Sequence, residues 1–122
     1  MMEFSDAVEK AILAHAAWKQ RLSWAIVEHS SRFTVEQVVV DDRCEFGKWF
    51  YTLPSTLRTS AEGMVVQRLH AEFHVVAAHV LELALARRVD EATRALAKGE
   101  KYALLSDQLV AAMERWKQRA AT

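Results

Sequence analysis

The chain has a single cysteine, a single proline and only three glycines among its 122 residues, and each scarcity excludes something. One thiol, Cys44, rules out an internal disulfide and points to a reducing compartment. So little proline and glycine argues against disordered, collagen-like and loop-rich sandwich architectures. Neither sign of charge dominates. Sixteen Lys and Arg balance sixteen Asp and Glu, the formal net charge is zero and the pI is near 7.0. No global field therefore draws the chain to nucleic acid or to anionic lipid, and neither partner is expected. No uncharged apolar stretch approaches the roughly 18 residues of a membrane span. The N-terminus has no charged segment followed by an apolar core and a cleavage site. A soluble, cytoplasmic protein is the expectation.

What is present is apolar mass: 52% of the residues are hydrophobic, enough for a real core in one domain spanning residues 1–122. The apolar residues Phe4, Val8, Ala11, Ile12, Trp18, Leu22, Ala25 and Ile26 recur at three- and four-residue steps and predict one amphipathic helix over 4–28,. Ser5 or Asp6 is placed to cap its start,. Residues 29–42 lose the period and carry the β-branched run Val38 to Val40, which suggests an irregular crossing or a short extended piece,. Asp41 and Asp42 read as caps of a short helix running through Cys44, Phe46, Trp49 and Phe50 until Pro54, with Cys44 in its first turn,. A polar stretch precedes a long helix over 61–88, built on Val65, Val66, Leu69, Phe73, Val76, Ala77, Val80, Leu81 and Ala84,. A short helix over 89–98 ends at Gly99, and a last one covers 102–119,. Four or five helices with short connections describe an all-α, antiparallel four-helix-type bundle with an extra short helix.

The histidines separate on these helices. His15 shares the stripe of Val8, Ala11, Trp18 and Leu22 and so points inward,. His70 and His74 are one turn apart and share a face, while His79 projects from nearly the opposite side,. His29 and His79 are expected at the surface or at an interface. Three inward imidazoles and one thiol have the stoichiometry of a tetrahedral zinc site. The candidate ligands are His15, Cys44, His70 and His74. A first-turn cysteine would feel the positive end of the helix dipole, which favours the thiolate. One metal would also satisfy three buried nitrogens that each cost about 1 to 3 kcal/mol when left unpaired.

Each feature alone has a blander reading. An i, i+4 histidine pair, an inward histidine and a lone cysteine are each more often ordinary core or surface residues than ligands. Only the combination favours zinc. Trp18 and Trp49 read as packing beside the ligands, Lys48 as solvated, and Asp41 or Asp42 as caps, with an outer-shell contact to a metal-bound imidazole as the lesser alternative,. Glu82, Arg87, Arg88, Asp90 and Glu91 read as a solvated face,.

The segments His15-Ala16-Ala17-Trp18-Lys19, Cys44-Glu45-Phe46-Gly47-Lys48-Trp49-Phe50-Tyr51 and His70-Ala71-Glu72-Phe73-His74 resemble the motifs of the chemoreceptor zinc-binding domain family. The resemblance extends from about Ala7 to Trp116. It implies a helical zinc domain of the bacterial cytoplasm, with His15, Cys44, His70 and His74 as the ligands of one Zn2+. It also implies homodimerisation, signalling to a chemoreceptor or diguanylate cyclase, and attack of oxidants on the zinc-bound cysteine. Relatives often carry Leu where this chain has Phe46 and Phe50, a change of packing rather than of ligation,.

The expected function is a sensory or regulatory zinc domain, the alternative an adaptor bundle with purely structural zinc. A zinc hydrolase is disfavoured, because four protein ligands close the tetrahedron and Glu72 stands off the metallohydrolase spacing,. A di-iron bundle would need inward carboxylates, which do not accompany the histidines.

Overall fold

A computed structural model describes residues 3–121 of the chain, so the outermost bounds of the expected domain, 1 and 122, lie outside the described residues. Among the described residues there are helices and no strands. Their order is α1 (Phe4–Ala16), α2 (Trp18–Glu28), α3 (Val35–Val39), α4 (Glu45–Phe50), α5 (Ser55–Arg58), α6 (Ala61–Leu85), α7 (Val89–Ala95) and α8 (Lys101–Ala121). The all-α expectation holds, with more short pieces than periodicity indicated.

Three long rods carry the architecture: α1 continued by α2, then α6, then α8. Phe4 at the start of α1 packs edge-on against Trp116 near the end of α8, centroids 4.6 Å apart, and Lys117 pairs with Glu9. The start of the first rod thus lies at the end of α8, and its far part, α2, meets α7 just before α8 begins, so these two rods are antiparallel. Glu62 at the start of α6 meets Arg119, and Phe73 stacks on Tyr102 near the start of α8, so α6 and α8 are antiparallel as well. The α1–α2 rod and α6 consequently run the same way, each antiparallel to α8. The chain between them, α3 to α5, makes the return crossing, with α3 lying on α6.

The predicted 4–28 helix is divided at Ala17, which keeps right-handed helical angles, φ −70° and ψ −18°. Its first helix has no side-chain cap from Ser5 or Asp6; Glu3 occupies the N-cap position. The segment read as irregular or extended is instead helix α3. Thr34 accepts a hydrogen bond from the Gln37 N–H, and the Gln37 side chain accepts one from the Thr34 N–H. This reciprocal box supplies the nucleation that the β-branched run opposes. The extended residue is Val40, which follows the helix.

Asp41 and Asp42 do not cap α4. Cys44 itself is the N-cap residue, its Sγ accepting from the Gly47 N–H, and the helix ends at Phe50, short of Pro54. The polar stretch after Pro54 forms the short helix α5. Helix α6 stops at Leu85 rather than near 88 because Arg87 turns left-handed, φ 63°. The Arg88 N–H then reaches the Leu83 carbonyl and the Arg87 N–H the Ala84 carbonyl, the paired bonds of a Schellman ending,. Helix α7 stops at Ala95, short of 98, while Gly99 takes the positive φ expected of it, 89°. The apolar stripes read from the sequence are buried: Val8, Leu22, Val66, Phe73, Val80, Leu81 and Ala84 are all essentially inaccessible. Trp116 joins them and donates its indole N–H to the Leu57 carbonyl at 3.2 Å, tying α8 to α5.

Candidate metal centre

The four candidate residues come from three parts of the chain. His15 lies two residues before the break at Ala17 in the first rod, His70 and His74 lie mid-way along α6, and Cys44 heads α4. Each offers one donor atom, and the four atoms lie within 4.8 Å of one another. The three histidines are buried to 3% exposure or less, and Cys44 is half-buried.

Main-chain carbonyls set the rings. His15 Nδ1 donates to the Ala11 carbonyl one turn earlier at 2.9 Å, and His74 Nδ1 donates to the Val38 carbonyl of α3, also at 2.9 Å. A proton on Nδ1 leaves Nε2 of each ring as a lone pair. His74 Nε2 stands 3.1 Å from His70 Nε2, which in turn is 3.3 Å from Cys44 Sγ. A single proton on His70 Nε2 serves only one of those two neighbours. His15 Nε2 is buried and has no hydrogen-bond partner among the described residues.

A tetrahedral zinc ion tests the fit. Bonds of about 2.0 to 2.3 Å separate its ligand atoms by about 3.3 to 3.6 Å. The separations of 3.1 and 3.3 Å around His70 lie close to that geometry, and the widest spacing, which is within 4.8 Å, would draw in on binding. The donor set, three neutral imidazoles and a thiol, suits zinc and offers little to hard oxygen-seeking cations. Carbonyl acceptors on the far nitrogens of His15 and His74 are the outer contacts that orient metal-bound imidazoles. They replace the Asp41 or Asp42 contact considered from sequence: Asp41 accepts the Tyr51 hydroxyl instead, at 2.7 Å.

Burial keeps the imidazoles neutral. It lowers His15 to about 4, lowers His70 to about 2 with help from His74 and His15, and lowers His74 against the opposing Val38 contact. The thiol departs from expectation. Burial pushes the Cys44 pKa up, and the amide N–H groups of Gly47 and Phe46, which pull it down, do not compensate. The helix start thus supplies the predicted favourable contact, but without a cation the resting group is the thiol.

Aromatic rings enclose the site. Trp18 meets His74 edge-on at 5.9 Å, Phe46 meets His70 at 4.9 Å and Phe73 meets His15 at 5.4 Å. Trp49, expected beside the ligands, packs instead on Phe4, Phe46 and Trp116. Gly47 is the residue whose role the sequence reading missed. A Cβ there would stand 1.8 Å from the Asp41 carbonyl oxygen, so only glycine lets the 41–44 turn close against α4,. Glu72 is solvent-facing and pairs with Arg68, away from the site. His79 is exposed as expected, whereas His29 is half-buried and caps α2 in the left-handed region, φ 56°.

No curated protein and no solved structure matches the chain. The family model of the chemoreceptor zinc-binding domain matches residues 15–81, a shorter span than the resemblance from Ala7 to Trp116 but one that includes all four donors. That span is more than half of the chain, and with a three-histidine, one-cysteine cluster built to hold a metal within it, the chain belongs to the chemoreceptor zinc-binding domain family.

Proposed function

We propose that this zinc-binding domain is regulatory, that His15, Cys44, His70 and His74 hold one zinc ion per chain, and that a partner reads the state of that site. The observation that carries the reading is the convergence, within 4.8 Å, of four donor atoms from three parts of the chain. Zinc supplies a closed tetrahedral cross-link of the kind worth about 10 to 16 kcal/mol in small zinc domains. Four protein donors leave no position for substrate, which favours a regulatory over a hydrolytic role.

The donors are unequally anchored. His15, His70 and His74 sit on long rods with buried rings, whereas Cys44 begins a six-residue helix and is half-buried. Gain or loss of the sulfur ligand therefore acts first on the segment from α3 to α4. Two inputs fit: a change of zinc occupancy, and oxidation of Cys44. With hypochlorous acid the thiolate sulfur attacks the chlorine-bearing oxidant, the products being a sulfenic acid and chloride, and a ligand is weakened. The proposed partner arrangement, which follows the sequence resemblance, is a homodimer acting in the cytoplasm on a chemoreceptor or diguanylate cyclase.

Metal analysis of the purified chain tests the assignment. One zinc per chain is expected, with large losses in Cys44→Ala and in His74→Ala. Full zinc retention in either variant refutes the ligand set. The alternative, an adaptor with permanently held structural zinc, predicts an affinity too tight for cellular zinc to vary occupancy and no structural response to hypochlorite.

A further inference from the structure

One side of the ligand cluster opens to solvent, and that opening is cationic. A cavity of about 320 Å3 touches Cys44 and His74 at its floor and has Trp18, Arg32, Arg43 and Lys48 in its wall. The three cations are exposed. Asp42 and Glu45 neighbour them in sequence, yet among the described residues none of the three cations forms an ion pair. Arg21 extends the same positive rim, its guanidinium stacked 5.0 Å over the Trp18 ring. The Asp41 carboxylate is the anion that bears on Cys44 and His74, and the three cations outnumber it, so the concave mouth attracts anions and opposes the approach of a bare divalent cation. In a chain of zero net charge this concentration is local and owes nothing to composition.

We propose that this vestibule is a binding site for small polycarboxylate anions and is the route by which anionic chelators exchange metal with the site. Arg32, Arg43 and Lys48 would hold the carboxylates, and the anion so held stands against Cys44 and His74, the two ligands that the cavity reaches. A guanidinium presents paired N–H donors that match a carboxylate, and Lys48 adds a mobile ammonium. The inference rests on the zinc reading above, and its test is arranged so that the two fail separately.

The zinc-loaded chain is mixed with excess EDTA, a polyanion, or with an uncharged tetrapyridyl chelator, and metal transfer is followed optically. Wild type is compared with Arg32→Gln/Lys48→Gln and with Lys48→Glu, all at exposed positions. Transfer to EDTA should rise with EDTA concentration. It should fall about 10-fold in the double variant and more in Lys48→Glu, the range expected of electrostatic steering. Raising salt from about 20 to about 200 mM should slow wild type and leave the double variant little changed. Transfer to the uncharged chelator should be the same in all three proteins. A rate independent of EDTA concentration, or equal losses with both chelators, overturns the vestibule. A purified chain without zinc overturns the ligand assignment before the vestibule is reached.

Discussion

Replacing Gly47 by alanine should cripple the metal centre although residue 47 offers no ligand. The added Cβ would stand 1.8 Å from the Asp41 carbonyl oxygen, 2.9 Å from its carbon and 3.0 Å from the Asp42 Cα, all of them backbone atoms that no rotamer change can move aside. Relief requires the 41–44 turn to lift from α4, and Cys44 closes that turn. The Gly47 N–H that now reaches Cys44 Sγ at 3.2 Å would move with it. Overpacking of this kind costs about 1 to 3 kcal/mol, or roughly 4 to 12 °C of melting temperature in a domain this size. Displacing an outer contact of a ligand typically costs about 10- to 100-fold in metal affinity. Competition against a zinc-binding dye measures the second effect and thermal unfolding of the metal-free chain the first. Affinity within about twofold of wild type would show that Cys44 is placed by something other than this close approach, and the account of the 41–47 turn would fall.

Three further outcomes follow from the same geometry. At about pH 7.5, zinc uptake by the folded metal-free chain should release close to one proton, from the Cys44 thiol whose pKa burial raises, and none from imidazoles already neutral,; a weakly buffered indicator reads the number, and a value near zero or above two refutes the assignment of protonation states. The metal-free chain should lose stability as pH falls from about 6.5 to about 4, because the unfolded chain protonates its histidines at about 6.5 while His15 in the fold waits until about 4. His15 alone is then worth about 3 kcal/mol across that window, so urea midpoints of wild type and His15→Phe should diverge there, and parallel curves would contradict the burial argument. Thr34→Ala removes the capping box of α3, with a loss of about 1 kcal/mol; because α3 carries the Val38 carbonyl that orients His74, zinc affinity should fall several-fold, and unchanged affinity would separate the cap from the site.

The long rods and the inward histidines were legible because each rests on a periodicity that survives in one dimension. His15, His70 and His74 sit on apolar stripes whose other members, Val8, Phe73 and Ala77, are fully buried. The connecting region was not legible in the same way. Helix α3 has five residues, too few for a period, and the run from Val38 to Val40 at its end argues for extension, which only Val40 adopts; the signal present was the Thr34 and Gln37 spacing of a capping box, which competes with that propensity and wins locally. Cys44 was placed inside the first turn rather than at the cap because Asp41 and Asp42 are better capping residues in general, yet Asp41 is committed to Tyr51 and the sulfur takes the cap. The carbonyls of Ala11 and Val38 that orient His15 and His74 leave no trace in residue type, since any residue but one with a displaced backbone supplies them.

That hidden layer decides how the site can respond. Ala11 is one turn from His15 on the same helix, so that ring is oriented by local structure and keeps its direction as long as α1 exists. His74 is oriented from across the fold by α3, and Cys44 depends on a turn closed by Gly47. Two of the four donors are thus held by the 34–47 segment, and the other two are held by the rods. Rods with buried stripes exchange packing only at the cost of the core, whereas α3 and α4 are short and owe their positions to a capping box, one close glycine contact and the ligands themselves. On the proposed regulatory reading, a change at the sulfur would therefore reach His74 through α3 before it reached α1, beside the cationic vestibule rather than at the outer ends of the bundle.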